Sequence, residues 1–415
     1  MAGSRDRQNH PRSGSQASRV EIAVIGAGPA GLTTAIALAA AGIETALVSK
    51  RPARSDNRTT ALLAGSVRAL ETLGVWASCR HQAAPLEAIR IIDDTRRLIR
   101  APEVVFHAAE IGLEAFGYNI ENQHLVAALD SRAASLPQLR RIDQAAAAIE
   151  VEADRIRVRL ADESRLEARL VIGADGRRSL CREAAGIIAD AFDYDQAALT
   201  LNVSHTRPHA GTSTEFHTGS GPFTLVPLPG MRSSLVCVVD PREAERLGSL
   251  PAPALAHEIE CRAHSILGKV TLEAEPCMFP LGVETARKIS GHRIALVGEA
   301  AHALPPIGAQ GLNLGLRDAA TIAELAATAR QGGRDPGSVE VLTRYETARR
   351  ADATTRAAAV DLLNRSLLSD FLPIQGIRGL GLYLIDRVGP LRRALMREGI
   401  EPALAAPRLM RGEAL

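Results

Sequence analysis

A glycine-rich stretch near the start of the chain has the residue types and spacing needed to bind the phosphates of a dinucleotide. Gly26, Gly28 and Gly31 form a G-x-G-x-x-G motif. The first glycine permits a tight turn, the second lets backbone approach a pyrophosphate, and the third lets a helix pack on a strand. Residues 20–25 predict a buried strand and residues 30–41 a helix, whose N-terminus attracts an anion. The motif therefore has the strand and helix that dinucleotide binding requires.

The next predicted strand, residues 44–48, departs from the usual pattern at its end. Ser49 occupies the position where an acidic residue normally binds the ribose hydroxyls. The Ser49 hydroxyl could still hydrogen-bond a ribose, or the residue could simply end the strand. Both interpretations stay open.

Two further strands are predicted to end in glycine-containing turns. Residues 170–173 lead into Asp175-Gly176, which could also be an ordinary turn. Residues 293–297 lead into Gly298-Glu299 and then into a loop with two prolines and three glycines, followed by a helix to about residue 329. Such a loop cannot be a packed core segment, so it is predicted to let a ligand approach backbone N–H groups.

The three motifs, in this order, resemble those of the class A flavoprotein monooxygenases, the family of para-hydroxybenzoate hydroxylase. The second motif reads D-G-x-x-S-x-x-R at residues 175–182, and Gly298-Glu299 stands where the family has G-D. Residues 57–62 and 306–318 are most similar to the ubiquinone-biosynthesis hydroxylases, and the resemblance covers residues 20–350. It implies that the chain binds FAD, takes electrons from NAD(P)H and uses O2 as co-substrate.

The predicted site consists of residues that hold the cofactor, and it includes no catalytic side chain or metal ligand, because the cofactor supplies the chemistry. The residues predicted to bind FAD are Gly26, Gly28, Ala30, Gly31, Ser49, Arg58, Gln123, Asp175, Gly176, Arg182, Gly298, Glu299, Pro306, Gly311, Leu312 and Asn313. The loop residues predicted to position the flavin are Pro305, Pro306, Gly308 and Gln310. Glu299 could instead be a charge that favours a helix start. His302 is interpreted as a hydrogen-bonded residue beneath this loop rather than as a general base.

The resemblance implies hydroxylation of the aromatic ring of a polyprenylated phenol or quinone precursor in ubiquinone biosynthesis, with other proteins of that pathway as partners in a complex. Two alternatives are a hydroxylase of the same fold that acts on a soluble aromatic compound and a non-catalytic flavin-binding scaffold. The scaffold alternative rests on the altered residues Ser49 and Glu299.

The predicted fold is α/β, with a discontinuous Rossmann-like FAD-binding domain, an inserted β-rich substrate domain and a helical C-terminal tail. The predicted divisions are a disordered arm (1–19), the first part of the FAD-binding domain (20–195, with substrate-side elements at about 76–115), the substrate domain (196–285), the second part of the FAD-binding domain (286–358) and the tail (359–415).

The tail mixes apolar residues at near-helical spacing with arginines, which suits either packing on the body or contact with an anionic membrane surface. Because a prenylated substrate dissolves in the bilayer, we expect a cytoplasmic protein that is peripheral to the inner membrane. The flavin-binding part is expected to work without the tail.

Composition limits the other possibilities. The chain has 49 basic and 47 acidic residues, so its overall charge gives no reason to expect nucleic acid as a partner. The five cysteines show no C-x-x-C spacing and are interpreted as buried free thiols.

Overall fold

The computed structural model describes residues 18–50, 58–95, 102–306, 308–368, 387–400 and 406–415. Its strands are β1 (Ser18–Ile25), β2 (Thr45–Val48), β3 (Thr59–Leu63), β4 (Ala83–Pro85), β5 (Ala88–Asp93), β6 (Val104–His107), β7 (Gly117–Glu121), β8 (Leu139–Ile142), β9 (Ala146–Val151), β10 (Ile156–Leu160), β11 (Arg165–Gly173), β12 (Ala189–His205), β13 (Thr212–His217), β14 (Pro222–Leu228), β15 (Arg232–Val239), β16 (Val270–Leu272), β17 (Cys277–Ala286), β18 (Ser290–Gly291), β19 (Ile294–Leu296) and β20 (His302–Ala303). Its α-helices are α1 (Pro29–Ala40), α2 (Ala64–Thr72), α3 (Trp76–Cys79), α4 (Asn122–Ala134), α5 (Leu180–Ala184), α6 (Pro241–Gly248), α7 (Ala252–Arg262), α8 (Gln310–Gln331), α9 (Val339–Leu368) and α10 (Gly389–Ile400).

The first sheet contains five parallel strands in the order β8-β2-β1-β11-β19. Numbered along the chain, this is the 3-2-1-4-5 order of a doubly wound fold. Strand β1 is apolar because it is covered on both faces: Ile22 and Val24 are fully buried. Strands β10 and β11 pair in antiparallel fashion and form a hairpin whose turn contains Asp162.

The second sheet has nine strands and is mainly antiparallel. Its main path runs β20-β17-β12-β15-β14-β13-β5-β6, and β16 pairs with β12. Residues 196–285, predicted to be rich in strands, supply most of it, and β5 and β6 join from residues 88–107. Inward-facing residues such as Leu199 and Phe216 share an apolar core with Leu247 of α6 and Leu255 of α7. One face of the sheet is thus covered by these two helices.

A three-stranded sheet, in the order β3-β7-β4, lies between the two larger sheets. The Asn119 side-chain amide on β7 donates a hydrogen bond to the Pro227 carbonyl of β14 at 2.9 Å. Two residues further along, the Glu121 carboxylate accepts a hydrogen bond from the Asn202 amide of β12 at 3.0 Å. These buried bonds fix the nine-stranded sheet against the element that leads into α4.

The two ends of the chain differ from the sequence expectation. Ser18 and Arg19, predicted to end a disordered arm, belong to β1. Helix α9 runs through the predicted boundary at residue 359, whereas the predicted apolar residues at 371–385 lie outside the described residues. Leu409 and Met410 are buried in the same core as the parallel sheet. Residues 406–415 therefore pack against the flavin-binding part, and their removal would open that core.

None of the helices in the described ranges is both long and apolar enough to cross a lipid bilayer.

The cysteines are free thiols, but only three of the five are buried: Cys79, Cys181 and Cys237. Burial raises the pKa of the Cys79 and Cys237 thiols to about 11, so both are inert at neutral pH. Cys261 and Cys277 are exposed, which corrects the expectation that all five are buried.

Candidate dinucleotide-binding site

The three glycine-rich turns follow three neighbouring strands of the parallel sheet. Gly26 comes directly after β1, Asp175 and Gly176 follow β11, and Gly298 follows β19. Residue pairing places Ile25 beside Gly173, and Gly173 beside Leu296, so the three strands end at the same edge. Ligands of open α/β sheets bind at the carboxyl ends of the strands, where the strand order reverses. Here that reversal lies between β1, which leads to β2, and β11.

In the first turn, two of the glycines are required by the protein itself. Gly26 has a φ of +106°, and a Cβ there would lie 2.2 Å from the Ala174 carbonyl oxygen. A Cβ on Gly31 would lie 2.0 Å from the Gly26 carbonyl oxygen. Strand and helix approach each other so closely that neither position has room for a side chain.

Gly28 is different, because its surroundings are open. It is exposed, its φ of −70° suits any residue, and a Cβ placed there would meet no protein atom within 4 Å. It precedes the first residue of α1, and no side chain caps that helix. The first N–H groups of α1 therefore face open space, which fits a pyrophosphate.

Helix α8 begins beside α1 and is also uncapped. Close packing of glycine brings the two helices together: a Cβ on Gly315 would lie 3.0 Å from the Gly298 Cα and 3.4 Å from the Ala30 Cβ. The residue before α8, Ala309, has a left-handed φ of 54° and provides no side-chain cap. Gly311, in the first turn, has open space around it. A second helix N-terminus without a side-chain cap thus lies at this edge of the sheet.

Asp175, the acidic residue of the second motif, forms hydrogen bonds within the protein. The Asp175 carboxylate accepts hydrogen bonds from the Ser179 hydroxyl at 2.6 Å and from the Cys181 N–H at 3.1 Å. The Ser179 hydroxyl in turn accepts a hydrogen bond from the Arg182 N–H and caps α5. The motif therefore builds the turn between β11 and α5, whereas Gly176, with a φ of +79°, has open space beside it.

Arg182 links the second turn to the third. Its guanidinium donates to the Ala300 carbonyl at 3.1 Å and pairs with Glu284 at 2.6 Å, and its side chain is largely buried. The predicted FAD contacts of Asp175 and Arg182 thus fall on side chains that already bond other parts of the protein.

Glu299 extends from the third turn into solvent. It is exposed and lies in a short 3-10 helix, Gly298–Ala300, directly after β19. The preceding residue, Gly298, has a left-handed φ of 63°, and its N–H donates to the Asp318 carboxylate at 3.1 Å. The backbone before Glu299 is therefore fixed, while the Glu299 side chain is exposed after β19, next to the strands that the other two turns follow.

Asp318 is the centre of a buried cluster of charges behind the third turn. Its side chain is fully buried and lies 2.6 Å from His302 Nε2 and 2.7 Å from Arg349 Nε of α9. Burial opposes ionisation of Asp318, but the neighbouring His302 and Arg349 outweigh it and lower the pKa of the carboxyl group below its ordinary value. His302 is itself buried, which confirms that it is a hydrogen-bonded structural residue.

Asn313, predicted to bind FAD, uses its side chain to join three elements. Its amide donates to the Ala61 and Ala309 carbonyls at 2.8 and 2.6 Å. Its Oδ1 accepts bonds from the Leu63 N–H and the Ser66 hydroxyl. All four hydrogen-bonding positions of the side chain are used, so the predicted contact of Asn313 with FAD falls to its backbone.

The remaining predicted residues lie around the same edge of the sheet. The Ser49 hydroxyl, after β2, donates to the Lys50 carbonyl at 3.2 Å. The Arg58 carbonyl accepts a bond from the Asn122 N–H, which brings the exposed residues Arg58 and Gln123 into neighbouring positions. In the loop before α8, Pro305 is buried, Pro306 and Gly308 are exposed, and Gln310 and Leu312 are half-buried.

Sequence reasoning missed the residues behind the site. Arg349 bonds Asp318 and also Asp352, and Asp352 pairs with Arg317 at 3.2 Å. Arg317 is thus largely buried in an ion pair. The Tyr345 hydroxyl donates to the Leu296 carbonyl at 2.6 Å. No local pattern predicts the contacts of α9 with Asp318, Arg317 and Leu296, because each of them joins α9 to a distant segment.

Comparison with known proteins gives the same assignment along the whole chain. The family model described as "FAD binding domain" matches residues 19–359. Ubiquinone hydroxylase UbiL of Rhodospirillum rubrum is 35% identical over 416 residues, covering 97% of this chain and 95% of that protein. The 3-demethoxyubiquinol 3-hydroxylase of Escherichia coli K12 is 32% identical, covering 91% and 97%.

Among solved structures, p-nitrophenol 4-monooxygenase PnpA from Pseudomonas putida DLL-E4 has the same fold. The TM-score is 0.76, at 19% identity, and the match covers 94% of this chain and all of that one. The predicted α/β fold is thereby confirmed. From its motifs, its fold and these relatives, the chain belongs to the FAD-binding family of class A flavin-dependent monooxygenases and, within it, to the ubiquinone-biosynthesis hydroxylases.

Proposed function

We propose that this protein uses NAD(P)H, O2 and FAD to hydroxylate the aromatic ring of a polyprenylated phenol or quinone precursor of ubiquinone. The observation that supports this most is the convergence of three glycine-rich turns and two uncapped helix N-termini at one edge of the parallel sheet. The substrate class rests on the relatives, one of which is a 3-demethoxyubiquinol 3-hydroxylase.

The residues at this edge fit FAD, and different residues would bind its pyrophosphate, its adenosine ribose and its ribityl chain. Gly26, Gly28 and Gly31 would form the pyrophosphate site with the N-terminus of α1, and Ser49 lies where the adenosine ribose is expected. Glu299 would accept a hydrogen bond from the ribityl hydroxyls. FAD, when bound, supplies the redox chemistry: it accepts electrons from NAD(P)H and activates O2 for transfer of one oxygen atom to the ring.

The protein's own contribution would be to hold negative charge and to exclude water. The uncapped N–H groups of Gly311 and Leu312 at the start of α8 favour negative charge on the part of the flavin that they face. Arg58 and Gln123 would contact the cofactor from the β3 and α4 side. In this proposal residues 20–195 and 286–358 hold FAD, and the nine-stranded sheet from 196–285, with β5 and β6, covers the substrate.

The proposed location of the protein follows from the solubility of its substrate. A substrate with a prenyl tail dissolves in lipid, so the protein would meet it as a peripheral protein of the inner membrane, in contact with other proteins of the pathway.

The test of the proposal compares two substrates with the full-length, FAD-loaded protein. One is a phenolic precursor with a tail of one or two prenyl units, and the other is 4-hydroxybenzoate as a soluble aromatic control. We expect the prenylated phenol to stimulate NADH or NADPH oxidation and to gain one oxygen atom. Preferred hydroxylation of 4-hydroxybenzoate would favour a soluble substrate, and failure of both compounds to stimulate oxidation would favour a scaffold.

Substitution of Glu299 tests the ribityl contact. Glu299→Ala removes a charge-assisted hydrogen bond worth about 1.5–3 kcal/mol, so we expect FAD affinity to fall about ten- to a hundredfold. Glu299→Asp keeps the carboxylate and should bind FAD much more tightly than the alanine variant. Fluorescence titration of the apoprotein with FAD measures both. If both variants bind FAD as tightly as the parent, Glu299 makes no contact with the cofactor.

A further inference from the structure

The nine-stranded sheet has a row of half-buried side chains on the face away from α6 and α7. The buried residues that point to those helices include Leu199, Phe216 and Leu235. Because side chains alternate along a strand, the residues next to these point to the other face. Cross-strand pairing places four such half-buried residues side by side in a central row, in the order Thr200, Val236, Thr224 and Glu215.

The central row lies on the face that elements of the FAD site contact. Ser234, two residues before Val236 and therefore on the same face, accepts a hydrogen bond from the Asn119 amide of β7 at 3.2 Å. Strand β7 pairs with β3, whose backbone accepts a bond from Asn313 in the first turn of α8. At the edge of the sheet, β20 leads directly into the loop that begins at Pro305. The row is thus flanked by the segments that would position the flavin.

The central row has a polar end and an apolar end. Thr224 and Glu215 form the polar end, on β14 and β13. At the other end, Val236 packs with the partly buried rings of Tyr194 and Phe279 against an apolar cluster. A ligand that lies along the row would therefore place a polar group at β13 and apolar groups towards β12 and β17.

Glu215 is the charged residue of the row, and its carboxylate can accept further hydrogen bonds. Its Oε1 lies 2.7 Å from His217 Nε2, and its Oε2 accepts a hydrogen bond from the Thr224 hydroxyl at 3.5 Å. A carboxylate has about four acceptor positions, so two remain. The Glu215 side chain is only 19% exposed, yet within the described ranges no arginine or lysine pairs with it. The carboxylate is therefore held in place with room for another donor.

His217 fixes the position of this carboxylate. Its side chain is buried, and its Nδ1 has no hydrogen-bond partner among the residues that the structure describes. The bond with Glu215 is thus the polar contact that orients both side chains. Because the imidazole is buried, His217 is a positioning residue that acts through Glu215.

We propose that Glu215 accepts the hydrogen bond of the substrate's phenolic hydroxyl, while the apolar part of the substrate lies along Val236 towards Phe279. As an electrophilic oxygen adds to the ring, positive charge develops on the phenolic oxygen, and a carboxylate that is hydrogen-bonded there stabilises this charge. The inference rests on the proposed function for the reaction and for the position of the flavin. The binding contact itself does not require turnover.

Ligand binding to the full-length, FAD-loaded protein without NAD(P)H tests this contact. The probes are 2-prenylphenol and its methyl ether, which cannot donate a hydrogen bond, and FAD fluorescence reports binding. We expect the parent to bind the phenol about ten- to a hundredfold more tightly than the ether, because the ether loses a hydrogen bond to a charged group. In Glu215→Leu the ratio of the two Kd values should fall to about one. Glu215→Gln keeps a neutral acceptor and should retain a ratio of about two to ten.

The ratio of the two Kd values separates a lost contact from a damaged fold. A variant that is partly unfolded or short of FAD binds both probes less well, so its ratio stays at the parent's value. Glu103→Gln is the matched control, because Glu103 is 53% exposed and pairs with Arg90 outside the central row. Its ratio should equal that of the parent. His217→Phe fills similar space but removes the bond to Glu215, so its ratio should fall about two- to tenfold.

Three results would overturn the assignment of Glu215. They are a parent ratio near one, a parent that binds neither probe, and a parent-like ratio in Glu215→Leu, or in Glu215→Gln if the leucine variant does not fold. Turnover of 2-prenylphenol with NAD(P)H, measured on the same samples, separates this inference from the proposed function. Discrimination without hydroxylation would uphold the contact and contradict the function. Hydroxylation with a parent-like ratio in Glu215→Leu would uphold the function and contradict the contact.

Discussion

Gly28→Val should yield a folded protein that does not bind FAD. The backbone at Gly28 has an ordinary φ of −70°, and no protein atom lies within 4 Å of a Cβ placed there. The fold therefore tolerates the valine, whereas its branched side chain occupies the space in front of α1 that the pyrophosphate needs. Two lost charge-assisted hydrogen bonds of about 1.5–3 kcal/mol each reduce affinity by at least about a hundredfold.

The neighbouring glycine provides a matched control for this variant. In Gly31→Ala, the added methyl group would lie 2.0 Å from the Gly26 carbonyl oxygen, so this smaller substitution should destabilise the apoprotein as well as weaken FAD binding. Circular dichroism melting of the two apoproteins and FAD fluorescence titration separate the effects. A Gly28→Val protein that melts like the parent and binds FAD with unchanged affinity would show that the pyrophosphate does not lie at α1.

Asp318→Asn should be among the most destabilising single substitutions in the chain. The carboxylate is fully buried between His302, Arg349 and the Gly298 N–H. Neutralising it leaves the buried Arg349 guanidinium without that counter-charge, a change that costs about 3–5 kcal/mol for buried pairs. FAD affinity should fall with stability, because the one amide oxygen of asparagine cannot accept from Arg349, His302 and the Gly298 N–H as the two carboxylate oxygens do. The turn before Glu299 is then less firmly fixed.

Asp352→Asn is the control, because Asp352 also pairs with Arg349 but is partly exposed. Its loss should cost about 1 kcal/mol or less. The stability due to the lowered pKa of Asp318 is fully present above the pKa of an unfolded carboxyl group, about 3.9, and is lost as the pH falls through the lower native value. Urea unfolding midpoints of the parent and Asp318→Asn should therefore differ at pH 7, and the difference should shrink as the pH falls below the pKa of an unfolded carboxyl group. Equal midpoints at pH 7 would contradict the role given to this cluster.

Short sequence patterns predicted the parts of the site that are built from neighbouring residues of the chain. The strand, turn and helix around Gly28 are a single βαβ unit, so periodicity and glycine spacing were enough to locate them. Motif order also indicated that the turns at Asp175 and Gly298 belong with it. Which side chains remain available to a ligand could not be predicted in this way. Asp175 and Asn313 have the right chemistry, but their hydrogen bonds are taken by Ser179 and by β3.

Contacts between distant segments determine the parts of the site and of the C-terminus that the sequence did not predict. The ion pair between Asp318 and Arg349 forms only because α8 and α9 are antiparallel neighbours, and the sequence contains no sign of that register. At the C-terminus, an apolar and basic composition suited both burial and membrane contact. In the structure Met410 is buried in the core, Arg392 is buried and pairs with Glu110, and Leu391 and Leu395 are exposed.

The measurement that tests the central claim most directly is the isotopic mass of the product formed under 18O2. The full-length protein, loaded with FAD and supplied with NAD(P)H and a short-tailed prenylated phenol, should add one labelled oxygen to the ring. The Gly28→Val protein should form no product under the same conditions, because it lacks the cofactor. Product oxygen that comes from water, or a labelled product formed equally well by Gly28→Val, would contradict a flavin-dependent hydroxylation at this site.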